Sequence, residues 1–438
     1  MTTKAVTGAC VLAQFSRSYA TQGGMKHYKV LVAGGGTGGL AVGARARRSL
    51  GAGQVAVVEP SKEHFYQPLW TLVGAGMKRP EQSMALMKDL VPSGLDLFEQ
   101  GVREFDPDKN NITLTNGEKI SYDYLVVALG IQLDLNKVEG LVDALKEDKT
   151  VCTNYHRDHV KKTFPAIQSF KGGNAIFTFP NTPIKCAGAP QKIMYLAEDY
   201  WKRHGVKDRS NIMYQTALSV IFGVPKYAAS LMKVVERKNI VLNLRRSLTS
   251  VDHMKKTATF DLLDKKGEKE TINYDFLHVG PPQCAPDVLR NSATPLVDVD
   301  GFLDVNLSNC QHIKYPNIFG IGDCTNIPTS KTAAAVAPQT KIVMTGISEM
   351  MAGKPLSSKY NGYTSCPLIT DYNHCILAEF GFNGSILETF PVEQGKERQT
   401  MFYLKKYIMP QIYWNMMTKG VWNGPATYRY IMHLGMCC

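Results

Sequence analysis

The feature that most constrains this chain is the stretch YKVLVAGGGTGGL at residues 28–40. A short apolar run, Val30 to Ala33, feeds directly into Gly34-Gly35-Gly36-Thr37-Gly38-Gly39. That is G-x-G-x-x-G at Gly34, Gly36 and Gly39. Each glycine is needed for a different physical reason. Gly34 permits the tight turn, Gly36 lets a pyrophosphate approach the backbone, and Gly39 lets helix and strand pack closely. An Ala/Arg-rich helical pattern follows, whose N-terminus with Thr37 and Gly38 offers unpaired N–H groups to phosphate. A second apolar strand, residues 54–58, ends at Glu59. This acid lies about 20 residues after the glycines, where a carboxylate accepts hydrogen bonds from ribose hydroxyls. Strand, loop, helix and acid together predict a dinucleotide site. They do not by themselves distinguish FAD from NAD.

At 438 residues, the chain is long enough for two or three domains. Its 20% charged content fits a globular enzyme. The net charge of +12 suggests an anionic surface as partner. No nucleic-acid motif is present and the basic residues are scattered, so we expect no nucleic acid. Ten cysteines are too few for a disulfide scaffold in this length. No C-x-x-C occurs, and no His/Cys spacing suggests a metal. No Asp or Glu precedes Glu59, and residues 1–24 are basic, Ser/Thr-rich and interspersed with apolar residues, as in a mitochondrial transit peptide.

Residues 124–130, YLVVALG, form a buried strand ending at Gly130. From residue 174 the pattern starts again: strand, turn, long helix, strand, helix, strand and a second hairpin at 256–274. The turn differs from its counterpart. Where a second glycine cradle would lie, residues 180–190 read PNTPIKCAGAP. That segment cannot form a phosphate cradle, so a nicotinamide donor is not expected. It carries Cys186 instead, just before a helix, where a thiol pKa falls. The alternative is a small residue in a tight turn. Farther on, residues 318–323 form a short strand ending in Gly322-Asp323, and Lys331-Thr332-Ala333-Ala334 opens a helix. An acid on such a loop suits a ribityl chain, and the helix N-terminus suits a flavin ring. With YLVVALG, this favours FAD. Cys366, in GYTSCPL at 362–368, is a second candidate thiol in an aromatic turn.

After Glu397 there is no acidic residue, and Lys405, Lys406, Lys419 and Arg429 are interleaved with Trp and Tyr. Pro410 and Pro425 are expected to break the tail into short helices. Its longest uncharged run, residues 407–418, is too short to span a bilayer. Helices lying in an anionic membrane interface are expected, with packing on the domain or on a partner chain as the alternative.

The combination GGGTGG, Glu59-Pro60, HFYQPLWTLVGAG at 64–76, FPNTPIKCAGAPQK at 179–192, FGIGDCTNIPTSKTAAA at 319–335 and GYTSCPL resembles the mitochondrial sulfide:quinone oxidoreductases. The resemblance implies an α/β fold of two tandem Rossmann-like dinucleotide-binding domains with a C-terminal interface and membrane-binding region. The boundaries expected are 1–24 for the transit peptide, 25–145 with 295–355 for the FAD domain, 146–294 for the second domain and 356–438 for the C-terminal domain. It implies FAD, hydrogen sulfide as donor, ubiquinone as acceptor, and a monotopic place on the mitochondrial inner membrane among anionic lipids. It further implies that Cys186 and Cys366 are the redox pair, bridged by sulfur at rest. Sulfide would attack at Cys366, leave a persulfide there and free Cys186 as a thiolate. Glutathione, sulfite or cyanide would remove the sulfur. Carried over by position, the flavin site comprises Thr37, Gly38, Glu59, Gln67, Val102, Asp323, Lys331, Thr332, Ala333 and Ala334. Two departures stand out: Cys152 and His156 resemble a stretch of bacterial members that would handle sulfur or relay protons, though inert loop residues are the favoured expectation here, and Lys192 stands where those members have Glu. The competing expectations are a single-subunit NADH:quinone dehydrogenase, disfavoured by the missing second glycine loop, and a flavin-bound interaction protein without turnover.

Overall fold

The computed structural model describes residues 21–22 and 25–436. Nearly all of the expected transit segment, Cys10 and Cys437-Cys438 lie outside the described residues.

The strand Met25–Ala33 is the centre of the first sheet. Its apolar end is fully covered: Val30, Leu31, Val32 and Ala33 are 0% exposed. It pairs in parallel with Val55–Val58 on one side and Lys119–Val127 on the other. Asp96–Phe98 extends the sheet beyond Val55–Val58. A strand apolar on both faces, such as VAVV at 55–58, needs cover on both sides, which is the condition of a parallel sheet in a layered α/β fold. The helices Thr37–Leu50 and Ala333–Met351 pack on each other beside this sheet. The strand Ile318–Gly320 returns from late in the chain to pair in parallel with residues 125–127. Asn111–Leu114 and Val102–Asp106 add the antiparallel edge.

The second sheet is wholly parallel, in the order Val151–Cys152, Phe276–His278, Gly173–Phe179, Ser210–Thr216, Val241–Asn243. The helices Ala189–Arg203 and Pro225–Arg237 belong to this module. The expected second hairpin is present at Thr257–Leu262 and Lys269–Asn273. A further strand, Arg246–Asp252, precedes it, with a polar pattern that gives no clear alternation.

Two expectations about the C-terminal part are corrected. Cys366 is not in a turn: it lies within the strand Thr364–Ile369, paired antiparallel with Cys375–Phe380. Pro410 does not break the tail. Residues 399–417 run as one helical stretch, with wider π-turns at Leu404–Ile408 and Tyr413–Met417 on either side of Met409–Ile412. A proline removes one N–H and crowds the preceding turn, and a wider turn beside it accommodates both. The last helix is Ala426–Met432. No helix among the described residues is long and apolar enough to cross a membrane.

Candidate active site

One cavity of about 820 Å³ gathers most of the predicted site. Gly36, Thr37, Gly38, Glu59, Gln67, Gly130, Gly322, Asp323, Lys331, Thr332, Ala333 and Ala334 all line it, as does Cys186. Gly34 and Gly39 shape the turn behind the wall. Gly34 has φ +103°, and a Cβ there would meet the Ala128 carbonyl oxygen at 2.4 Å. A Cβ on Gly39 would meet the Gly34 carbonyl oxygen at 1.8 Å. Gly36 has open space where a Cβ would point, leaving its backbone free for a phosphate. Val102 is not in the cavity wall; it sits at an irregularity in the antiparallel edge.

These residues fit a dinucleotide flavin. The first N–H groups of the helices Thr37–Leu50 and Ala333–Met351 have no acceptor within their helices, and both helices begin at the cavity. Glu59 is fixed by Gly35 N–H at 2.7 Å and Ser61 N–H at 2.8 Å, which hold its carboxylate at the rim. Burial raises the Asp323 carboxyl pKa, while Lys331 and Lys185 pull it back down. Thr332 caps its helix by accepting from Ala335 N–H, and its hydroxyl meets that of Thr364 at 2.8 Å. The cofactor wall is thereby tied to the strand that carries Cys366.

The two candidate cysteines come together from residues 180 positions apart in sequence. The segment after Phe179 does not turn straight into a helix. It crosses to the first module, where Cys186 N–H donates to the Lys331 carbonyl at 2.8 Å. Cys186 adopts φ +52°, a left-handed conformation unusual for a side-chain-bearing residue. On its other side the helix Ala189–Arg203 brings up Lys192. The Lys192 ammonium lies 3.1 Å from Cys186 Sγ and 3.8 Å from Cys366 Sγ. Lys192 is 3% exposed and Cys366 2% exposed. Gly188 leaves the necessary room, since a Cβ there would come within 2.6 Å of Cys366 Sγ.

This arrangement sets the two sulfurs apart chemically. The hydrogen bond from Cys366 holds the Cys186 thiol well below its ordinary pKa, and the Lys192 charge adds to the effect against burial. The same bond, with burial, pushes Cys366 well up. Burial opposes the Lys192 charge, but the two sulfurs hold its pKa up. The thiolate at Cys186 thus owes its stability to Cys366 and Lys192, where the sequence suggested a helix terminus. Lys405, from the tail, is also near: burial and Lys192 lower its pKa to about 8, and it donates to the Pro68 carbonyl at 2.9 Å. Cys152 is 0% exposed and its thiol is pushed up to about 12 by burial, so it is a core residue. His156 does line the cavity.

The sequence singled out Lys192 only as a departure and attached no site role to Lys405 or Tyr413. Tyr413 reaches back from the tail: its hydroxyl is 2.8 Å from Thr37 Oγ1 and 2.6 Å from His64 Nε2. Its ring stacks on Tyr66 with centroids 4.1 Å apart. Burial lowers the His64 pKa to about 4, so the imidazole is neutral. No local signal links residues this far apart in sequence.

A glycine cradle in the first module, a cysteine turn in the second and a late Gly-Asp strand returning to the first define a flavoprotein of the pyridine nucleotide-disulphide oxidoreductase class. The model of that family, described as pyridine nucleotide-disulphide oxidoreductase, matches residues 28–164. The mitochondrial sulfide:quinone oxidoreductase of Mus musculus is 50% identical over 430 residues, covering 98% of this chain and 92% of that protein. The mitochondrial sulfide:quinone oxidoreductase of Dictyostelium discoideum is 41% identical, covering 91% and 88%. The solved sulfide:quinone oxidoreductase of Aquifex aeolicus has the same fold, with a TM-score of 0.79 at 18% identity, covering 94% of this chain and 96% of that one. The chain belongs to the mitochondrial sulfide:quinone oxidoreductase family.

Proposed function

We propose that this FAD-dependent sulfide:quinone oxidoreductase uses Cys186 and Cys366 as its redox pair and Lys192 as the cation that holds them ready. The observation that carries this is the placing of both sulfurs against one buried ammonium at the wall of the cofactor cavity. Bound FAD supplies the two-electron carrier between the sulfur pair and the quinone. Gly36, Thr37, Gly38, Glu59, Gly322, Asp323 and Lys331 to Ala334 would hold it. In the oxidised pair, hydrosulfide attacks Cys366 Sγ. A sulfur–sulfur bond to the incoming atom forms as the one to Cys186 breaks, and Cys186 leaves as a thiolate. Lys192 offsets the charge that appears there, in a setting where an unpaired charge is costly. Cys186 faces the cavity, and Cys366 is set back behind it to keep the persulfide. A small nucleophile such as glutathione, sulfite or cyanide then takes the outer sulfur. Within the chain, residues 25–145 and 295–355 form the FAD unit, 146–294 the unit carrying Cys186, and 356–438 the unit carrying Cys366 and the tail.

The enzyme is mitochondrial, after its family. We place it on the inner membrane as a monotopic protein, entering the bilayer surface with its tail and not spanning it. Tyr403, Tyr407 and Ile408, and farther on Tyr428, Tyr430, Ile431, Met432, Leu434 and Met436, are all exposed. Lys406 and Lys78 lie over the Tyr407 ring. Exposed Tyr and Ile beside lysines suit the interface of an anionic bilayer. The tail also lines the cavity through Met409, Met416, Trp422 and Met432, which gives an apolar quinone a route from lipid.

The test is anaerobic mixing of the purified holoenzyme with sulfide or with NADH while flavin absorbance is followed. Sulfide bleaches the flavin and NADH does not. Bleaching by NADH would replace this account with a nicotinamide-driven one, and bleaching by neither would favour a protein without turnover.

A further inference from the structure

The hairpin that carries Cys366 has two faces. Side chains alternate along a strand, so Thr364, Cys366 and Leu368 point one way, toward Gly188 and Lys192. Ser365 and Pro367 point the other way, together with their cross-strand partners Glu379 and Leu377. Tyr363, Ser365, Pro367, Leu377 and Glu379 all line the cavity, as do residues of the tail. The sulfur chemistry and this second face are therefore separated by the thickness of one hairpin.

The second face holds a connected row of protonic groups. Tyr363 O–H donates to Glu379 Oε1 at 2.5 Å. Thr389 donates to the same carboxylate through its hydroxyl at 2.7 Å and its N–H at 2.8 Å, and Gln394 Nε2 donates at 2.9 Å. Glu379 is 3% exposed. The Arg429 guanidinium lies 5.1 Å from the Tyr363 ring centroid and supplies the counter-charge. Ser365 is 7% exposed and its hydroxyl has no hydrogen-bond partner among the described residues. Burial and the Glu379 carboxylate push the Tyr363 phenol pKa well up, against smaller opposing effects of Arg429 and Ser365, so the phenol keeps its proton. Away from the cavity, Thr389 adjoins Glu388, which bonds Tyr227 O–H at 3.0 Å and pairs with Lys226 at 2.8 Å near the surface.

A buried carboxylate with four donors, opening toward the cavity through a phenol and a partnerless hydroxyl, is more than the packing of a two-stranded hairpin requires. We propose that Glu379, Tyr363 and Ser365 form the proton path to the quinone. This rests on the reading that the cavity receives quinone from the tail side. Reduction of a quinone to its quinol consumes the two electrons given up by sulfide and two protons. In each transfer the Ser365 hydroxyl gives its proton to a quinone carbonyl oxygen and takes one from the Tyr363 phenol. The phenol takes one from Glu379, whose carboxylate first takes up a proton from the Thr389 side. Every O–H bond broken is matched by one formed, and Glu379 is recharged from solvent by way of Thr389 and the Glu388 side. A second passage supplies the second proton.

The test separates the half-reactions of the holoenzyme. Wild type, Glu379→Gln, Tyr363→Phe and Ser365→Ala are reduced anaerobically with sulfide, then mixed with a short-tailed ubiquinone analogue or with ferricyanide, which accepts electrons without protons. Loss of a positioned proton donor is expected to slow reoxidation by the quinone about 100-fold in Glu379→Gln and Tyr363→Phe, and by about 10-fold in Ser365→Ala. Bleaching by sulfide and reoxidation by ferricyanide should stay within about twofold of wild type, as expected for interactions made only in the later step. Unchanged quinone reoxidation in all three variants overturns the proposal, and so does a parallel loss with ferricyanide. Failure of sulfide to bleach the wild type overturns the underlying assignment of function instead.

Discussion

The turns after Ala33 and after Phe179 occupy equivalent places in the two modules and do opposite work. The first is short: the strand Met25–Ala33 is followed almost at once by the helix Thr37–Leu50. Its glycines keep the backbone close enough to the helix for a phosphate to use both. The second is long, with the helix delayed to Ala189. It leaves its own module and docks Cys186 on Lys331 of the other. Removing the glycines abolishes a phosphate site, and lengthening the turn gives the chain reach. On the proposed assignment, the second module carries the sulfur chemistry at the cofactor site of the first.

The comparison breaks most sharply at Gly39. A side chain at Gly39→Ala collides with the Gly34 carbonyl, so the variant should emerge almost without FAD and without activity. The flavin-to-protein absorbance ratio of the purified protein checks this. On the other turn, Lys192→Met should leave FAD in place and raise the pKa of the Cys186 thiol. Loss of an adjacent positive charge shifts such a group by about 1–3 units. A raised thiol pKa leaves less thiolate at neutral pH. The acidic limb of the pH profile for flavin reduction by sulfide therefore moves to higher pH, and the rate at neutrality falls by about 10-fold or more. A profile that stays where it is would remove Lys192 from the account.

Much of this contrast was legible in the sequence, because each turn is local. Gly34, Gly36, Gly39 and Glu59 carry their meaning in spacing, and the lack of a glycine triplet around Cys186 is equally plain. What was not legible depends on contacts between distant segments. Lys192 follows Cys186 by six positions, but the role of its ammonium exists only because the hairpin at 364–380 folds over the same point. Cys366 looked like a turn residue beside a proline, and pairing with Ala378 made it a strand residue. Tyr413 belongs to a tail whose composition suggests membrane, yet its hydroxyl meets Thr37 in the glycine loop.

That last contact gives a smaller prediction. Tyr413→Phe removes both hydrogen bonds of the hydroxyl while keeping the ring on Tyr66. Hydrogen bonds of this kind contribute about 1 kcal/mol, so FAD affinity measured by reconstitution should weaken by about fivefold. An unchanged affinity would mean that the tail only covers the cradle. The smallest effect on turnover is expected at the end of the tail. Ile431→Glu with Leu434→Glu should leave activity with a water-soluble quinone analogue intact. Binding to vesicles containing anionic lipid should fall by about 10-fold or more, since each exposed apolar side chain contributes about 1.5–3 kcal/mol when buried.

If the first turn holds the cofactor and the second carries the chemistry, the two are separable. Cys186→Ser and Cys366→Ser test it directly, with FAD content and anaerobic bleaching by sulfide measured on the same samples. Each variant should retain FAD at the wild-type ratio and lose bleaching by about three orders of magnitude or more, as expected when residues act as a unit. Bleaching near the wild-type rate in either variant would contradict the assignment of the sulfur chemistry to this pair.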